Sequence, residues 1–380
     1  MINKIKEKFK SINKGKKIKK TGLHLILAVV LLFVALIQVP SMLDTKSLKG
    51  LGYSTIQIKE IRKQNLKNPI LKNKYYSINL ASSIETKTLK KEYLELYVVT
   101  ESLKEKDFLL YDRLIEKGYK KEVIVTLFDK LKFYEITPLL VFDYQSSITP
   151  YIEDALANSS TNSEDNFTLS NTYGGFYTNI ENTKNEGNYD MLVNKQYTLS
   201  SSYTPATLSD INVRYASSGV QLDAGAADGL KDLCEVTREL GLVIYASGGF
   251  RSYDKQKEAY DRYLEAYGEE EADKLSSRAG HSEHQTGLTV DLAAGGESKD
   301  IASFEETPEF TWLIENAANH GWILRYPKGK EAITGYDYEP WHFRYVGTDL
   351  AQKVFNSKLT YDEYYMLYLL PQEQAKEETK

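Results

Sequence analysis

Two stretches of this 380-residue chain carry the residue types that metal-assisted hydrolysis needs. The first is Ser282-Glu283-His284-Gln285-Thr286-Gly287-Leu288-Thr289-Val290-Asp291, and the second is Glu339-Pro340-Trp341-His342. His284, Asp291 and His342 offer two imidazoles and a carboxylate, a ligand set that suits one zinc ion. Three protein ligands leave a coordination position for water, and Glu339, beside the third ligand, is the candidate general base for that water's proton. A lone histidine in a globular domain is seldom a ligand. Here two of the chain's five histidines fall in motifs that each carry a carboxylate, and both motifs serve one mechanism.

The spacing dictates how these residues are held. His284 and Asp291 are seven apart, so one unbroken strand would point them to opposite faces. Gly287 can turn the chain between them, which puts His284 in a loop and Asp291 on a short strand over 288–292. Pro340 argues against a helix interior at the second motif, so Glu339 ends a loop. The run 341–346 then alternates as a strand, with aromatics on one face and His342 on the other. Thr289 and Arg344 are the polar neighbours available to hold Asp291.

The pattern Ser-x-His-x-x-Gly-x-x-x-Asp followed by Glu-x-x-His resembles the zinc D-alanyl-D-alanine carboxypeptidases of VanY type. Similar sites occur in vancomycin-resistance dipeptidases, the L,D-carboxypeptidases of peptidoglycan and the hedgehog-like zinc fold. The flanks Gly249-Phe250-Arg251-Ser252 with Gln256, and Gly321-Trp322-Ile323-Leu324-Arg325-Tyr326-Pro327, strengthen the likeness. It covers about residues 187–370. One departure is Ala279 before Gly280, where many relatives carry proline, a change in loop stiffness and not in a ligand. The resemblance implies hydrolysis of the terminal D-alanine from peptidoglycan stem peptides or their lipid-linked precursors by a zinc-bound water. It implies that Arg251 stabilises the oxyanion or grips the substrate carbonyl, and that Gln256 and Ser282 hold the peptide end. Alternatives are an L,D-carboxypeptidase acting on tetrapeptide stems, or a non-catalytic wall-binding module with a structural zinc; retention of Glu339 and Arg251 speaks against the latter. A serine mechanism is the rival chemistry. Ser252-Tyr253-Asp254-Lys255 matches Ser-x-x-Lys, but the only Lys-Thr-Gly triplet, Lys20-Thr21-Gly22, is on the far side of an apolar run.

That run, residues 23–39, is interrupted only by His24 and Gln38 and is near the length of a membrane span. Residues 1–20 hold nine lysines and one glutamate, so 1–22 reads as a cytoplasmic leader and 23–39 as a retained single-pass anchor. The remainder would lie outside the membrane, on the cell-wall side of a Gram-positive cell. A cleaved signal peptide is the competing reading, weakened by the length of the run and the lack of an Ala-x-Ala site. Without the leader the chain is distinctly acidic, which argues against nucleic acid as a partner. The single cysteine, Cys234, sits in a helical apolar pattern and reads as core.

Residues 45–157 read as a mostly helical, repeat-like module. Leu48, Gly52 and Tyr53, followed by Ile58 and Ile61, echo Leu114, Gly118 and Tyr119, followed by Ile124 and Leu127. Its partner is not legible; a spacer or wall-facing role is the expectation. Residues 158–186 read as a polar linker, 187–371 as the zinc carboxypeptidase domain and 372–380 as a charged tail. Within that domain helices are expected over 222–241, over 255–267 and from a Thr307-Pro308 start to Gly321, with a strand over 242–246. The mixture without regular alternation implies an α+β fold, a small antiparallel sheet with flanking helices. His281 is expected behind the ligands or at the rim, turned from the ion, and His320 at a helix end.

Overall fold

The computed structural model describes residues 28–32, 41–158, 167–295 and 301–372. The expected leader and most of the expected anchor and tail lie outside the described residues; 28–32 are helical, and no described helix is long and apolar enough to cross a membrane. The chain divides into two compact units, one ending at Leu103 and one from Lys104 onward.

In the first unit short helices bury one face each. Thr55–Lys63 begins at a Ser54–Gln57 capping box and buries Ile58 and Ile61, while Ile78–Thr86 buries Leu80 and Ile84. Gly52, at φ +113°, lets the Tyr53 N–H reach back to the Leu48 carbonyl, which ends the preceding helix. The second unit repeats the device: Gly118, at φ +99°, lets the Tyr119 N–H bond the Leu114 carbonyl.

The second unit is built on a four-stranded antiparallel sheet. Its strands are β1 (Ile244–Gly248), β2 (Thr289–Ala294), β3 (Trp322–Leu324) and β4 (His342–Tyr345), in spatial order β1-β2-β4-β3. Helix α1 (Ala224–Glu239) is capped by Asp223, whose side chain accepts from Gly225 N. It buries Ala226, Leu230, Leu233 and Cys234 at helical spacing, and the chain turns away at Gly241. These side chains pack with Ile244, Val290, Leu292, Trp322 and Phe343 in one apolar core. Burial of each large side chain stabilises the fold by about 1.5–3 kcal/mol. Helix α2 (Tyr253–Tyr267) follows β1 under a Ser252 cap. Helix α3 (Pro308–Asn316) starts with Thr307 accepting from Phe310 N and Pro308 in the first turn, and α4 (Thr348–Ser357) follows β4. The expected helices and strands are present, most with ends displaced by about two residues; α3 stops at Asn316, and a tighter 3₁₀ turn, Ala317–His320, carries the chain on to Gly321.

The division at residue 103 falls inside the stretch expected to be one helical module over 45–157. The later part, from Lys104, belongs to the unit that carries the sheet. Thr137 Oγ1 donates to Glu363 Oε1 at 2.7 Å, both side chains buried. The stretch expected as a linker over 158–186 is, from residue 167, tied to this unit. Phe167 and Leu169 are buried, and Asp154 accepts hydrogen bonds from Ser170 N, Asn171 N and Tyr173 Oη. Its polar composition serves hydrogen bonding to a folded neighbour, which composition alone does not distinguish from solvation.

Candidate metal centre and active site

Strand register brings two ligands together. Asp291 of β2 and His342 of β4 are direct partners across the antiparallel pair, so their side chains share a face. On the other side of β2, Asp291 faces Gly248, where β1 bulges. A Cβ at 248 would collide with Asp291 Oδ2, so this glycine makes the room that the carboxylate occupies. Phe343 and Tyr345 take the opposite face of β4 and enter or flank the core.

His284 arrives from a tight turn, Glu283–Thr286. Ser282 caps it by accepting from His284 N at 3.3 Å, and Gly287, at φ +69°, ends it. His284 Nδ1–H donates to the Gly249 carbonyl at 2.7 Å, which leaves Nε2 for a ligand; it is 3.4 Å from Asp291 Oδ2. His342 Nδ1 is 3.6 Å from Asp291 Oδ1. One donor atom from each of His284, Asp291 and His342 lies within 4.8 Å of the others. Asp291 Oδ1 is buried without a hydrogen-bond partner among the described residues, as a group kept for a cation would be. Two imidazoles and a carboxylate so gathered fit one zinc ion.

Glu339 stands apart from this trio. Its Oε2 is 3.1 Å from His342 Nδ1, and the backbone fixes it, since Glu339 N–H donates to the Tyr326 carbonyl. Burial raises the Asp291 carboxyl, but His284, His342 and Arg251 outweigh it and hold the group well below the usual carboxylate range. Burial lowers His342, but Glu283, Glu339 and Asp291 outweigh it and push it up to about 9. In the metal-free protein, three carboxylates make a site that attracts a cation.

The trio opens into a cavity of about 850 Å³ bordered by Arg251, Gln256, Ser282, Tyr326, Glu339 and Trp341, among others. Arg251 follows β1 and is aimed by Gln256, whose Oε1 accepts from Arg251 Nη1 at 3.0 Å. Gln256 is buried, and its Nε2 donates to the Ser277 carbonyl at 2.7 Å. Both Gln256 and Ser282 therefore border the cavity while bonded to protein groups, Gln256 to Arg251 and Ser282 to the ligand turn.

A family model described as VanY, D-alanyl-D-alanine carboxypeptidase, matches residues 219–348. The putative carboxypeptidase YodJ of Bacillus subtilis (strain 168) is 38% identical over 191 residues, 49% of this chain and 70% of that protein. This chain belongs to the VanY carboxypeptidase family. The bifunctional D-Ala-D-Ala dipeptidase and D-Ala-D-Ala carboxypeptidase VanXYC of Enterococcus gallinarum is 32% identical over 143 residues, 34% of this chain and 75% of that protein. A mutant of the vancomycin resistance D,D-pentapeptidase VanY, solved in complex with Zn(II), is 32% identical, covering 46% of this chain and 98% of that chain, with a TM-score of 0.40. The chain is a peptidase of this family, and all the motif residues fall in the matched segment.

The serine rival finds no geometry. Ser252 Oγ accepts from Lys255 N as the cap of α2, and Lys255 Nζ reaches out to Glu258 at 2.8 Å, both side chains exposed. Of the two places expected for His281, the rim is excluded because the side chain is buried: its Nδ1 contacts the Asn194 carbonyl at 2.8 Å and its ring stands edge-on to Tyr177. His320 closes a short turn before Gly321 and lies against Trp312.

Neither Thr289 nor Arg344 holds Asp291. Arg344 shares the site face of β4 with His342 but donates to Glu283 Oε1 at 2.9 Å. Glu283, Arg325 and Arg344 are wholly enclosed; the sequence offered Arg344 only as a partner for Asp291 and gave Glu283 and Arg325 no role. Two signals were available. Glu283 directly precedes a ligand, and Arg344 follows His342 by two along a strand, on the inward face where an unpaired charge is not tolerated.

Proposed function

We propose that this protein removes the C-terminal D-alanine from peptidoglycan stem peptides, with D-Ala-D-Ala as the bond cleaved and one zinc ion held by His284, Asp291 and His342. The observation that carries this reading is the convergence of those three ligand atoms within 4.8 Å at a cavity that Glu339 and Arg251 also border. Bound zinc supplies Lewis acidity, which makes a water nucleophilic near neutral pH. Glu339 takes a proton from the attacking water and returns it to the departing amine. Arg251, held by Gln256, presents its guanidinium to the substrate carbonyl, where negative charge develops. Tyr326 packs its ring against the His342 imidazole, with centroids 4.7 Å apart, and limits its motion.

The test is D-alanine release from a pentapeptide precursor, with chelator and penicillin added separately. Abolition by chelator alone is expected; abolition by penicillin alone would refute the mechanism. Mass spectrometry of pentapeptide and tetrapeptide digests distinguishes D,D from L,D cleavage, and the pentapeptide is the expected substrate. We place the work outside the membrane on the strength of the lysine-rich leader and the apolar run after it. Protease added to intact protoplasts should then remove the catalytic unit; protection until lysis would overturn that location.

A further inference from the structure

Behind the metal centre, buried charges form a chain that leads away from it. Glu283 Oε1 accepts from Arg325 Nε at 2.8 Å and from Arg344 Nη1 at 2.9 Å. Arg344 Nη2 also donates to the Met191 and Tyr189 carbonyls. Arg325 turns the other edge of its guanidinium to Asp362, with Nη1–Oδ2 at 2.5 Å and Nη2–Oδ1 at 3.1 Å. Asp362 Oδ1 accepts a further bond from Asn194 Nδ2 at 2.7 Å. Asp362 is set in the turn Tyr361–Tyr364, where a Thr360–Glu363 capping box and the Thr137–Glu363 bond fix the backbone. Two guanidinium groups thus meet two carboxylates, and the charges balance.

One oxygen of this cluster is left over, and it faces a ligand. Glu283 Oε2 is buried with no hydrogen-bond partner among the described residues, and so is His342 Nε2. The two atoms are 3.8 Å apart. Glu339 and Asp291 face Nδ1, at 3.1 and 3.6 Å; an ion held on Nδ1 would leave the one N–H of the neutral imidazole on Nε2, where Glu283 is the carboxylate placed to accept it. Glu283 can do this only while Arg325 stays on Oε1. Asp362 keeps it there by taking both Nη groups. Without the Asp362 charge, the free guanidinium fork would close on both oxygens of Glu283, the arrangement it favours, and take Oε2 from His342.

We propose that Asp362 is a positioning residue for the metal centre, acting through Arg325 and Glu283 to keep His342 oriented with Nδ1 toward the ion. Asp362 and Asn194 lie outside the segment that the family model matches, so part of this support comes from flanking chain. The inference rests on the metal reading of His284, Asp291 and His342.

The experiment is zinc affinity of the full chain by competition with a chromogenic chelator, alongside histidine ¹⁵N spectra of the zinc-loaded protein. The parent should bind one zinc, with His342 protonated on Nε2 and His284 on Nδ1. D362N should raise the dissociation constant about tenfold, the low end for loss of a group behind a ligand, and disturb the His342 resonances while sparing those of His284. R325K is the second variant, should D362N not fold. It keeps the charge, but one ammonium cannot span both carboxylates, so the same rise is expected. A folded D362N or R325K that binds zinc within about twofold of the parent, with His342 signals intact, would overturn the proposal. A parent that binds no zinc would overturn the metal reading itself.

Discussion

Glu339→Gln separates base catalysis from metal binding. The substitution keeps shape and removes the charge that accepts the proton. Loss of a general base lowers turnover by about 100- to 10,000-fold, equivalent to roughly 2.7–5.5 kcal/mol of barrier. Structural damage should be small, because the position of residue 339 is set by its backbone. Its N–H donates to the Tyr326 carbonyl and its carbonyl accepts from His342 N, both at 3.2 Å, and an amide side chain leaves these bonds intact. The stability of the zinc-loaded protein should therefore change by less than about 1 kcal/mol, as for a partly exposed charge. The assay is D-alanine release at saturating peptide, with zinc content measured on the same preparation. Full zinc content with turnover down at least 100-fold is the expected pair of results. Zinc lost together with activity would make Glu339 a ligand and refute the reasoning; turnover within about tenfold of the parent would remove it as the base.

Glu283→Ala takes the carboxylate partner from the buried Arg344 and one of two from the buried Arg325, and should destabilise the fold by about 3–5 kcal/mol, read as a lowered midpoint in urea. Gly248→Ala drives a methyl group into the space of the Asp291 carboxylate; zinc affinity should fall about tenfold, which is about 1.4 kcal/mol and towards the low end of the roughly 1–3 kcal/mol typical of overpacking, as measured by chelator competition. In the metal-free protein His342 keeps its proton up to about 9, so zinc must displace it at any lower pH. Zinc affinity should therefore rise about tenfold per pH unit between about pH 6 and pH 8 and level off near pH 9; a flat profile in the same competition assay would contradict a proton on His342.

The candidate ligands could be picked out because their chemistry is local. A histidine, a turn-permitting glycine and an aspartate within eight residues, and a glutamate three before a histidine, state their purpose without a fold. The strand at 342–345 followed from alternation, and so did the face on which His342 stands. The group that backs His342 was not legible, because Glu283, Arg325, Arg344 and Asp362 come from four separate segments and mean something only once paired. Read singly, each is an ordinary surface charge. The residues after 167 misled for a related reason. Asn, Ser and Thr look alike whether they bond to water or to Asp154, and only Phe167 and Leu169 hinted at burial.

The direct opposition of Asp291 and His342 has a consequence for assembly. Side chains on a strand alternate, so a slip of one residue between β2 and β4 would turn His342 away and thrust Phe343 into the polar site. No zinc site would form in that state. A zinc concentration about a thousandfold above the dissociation constant adds roughly 4 kcal/mol to whichever arrangement binds it. The ion would thus favour one alignment of two strands whose paired residues are at least fifty-one positions apart. A bound zinc would then edit strand pairing as well as supply the chemistry. Refolding without zinc should be slower to reach a single state, and metal supplied late should correct chains that paired out of line.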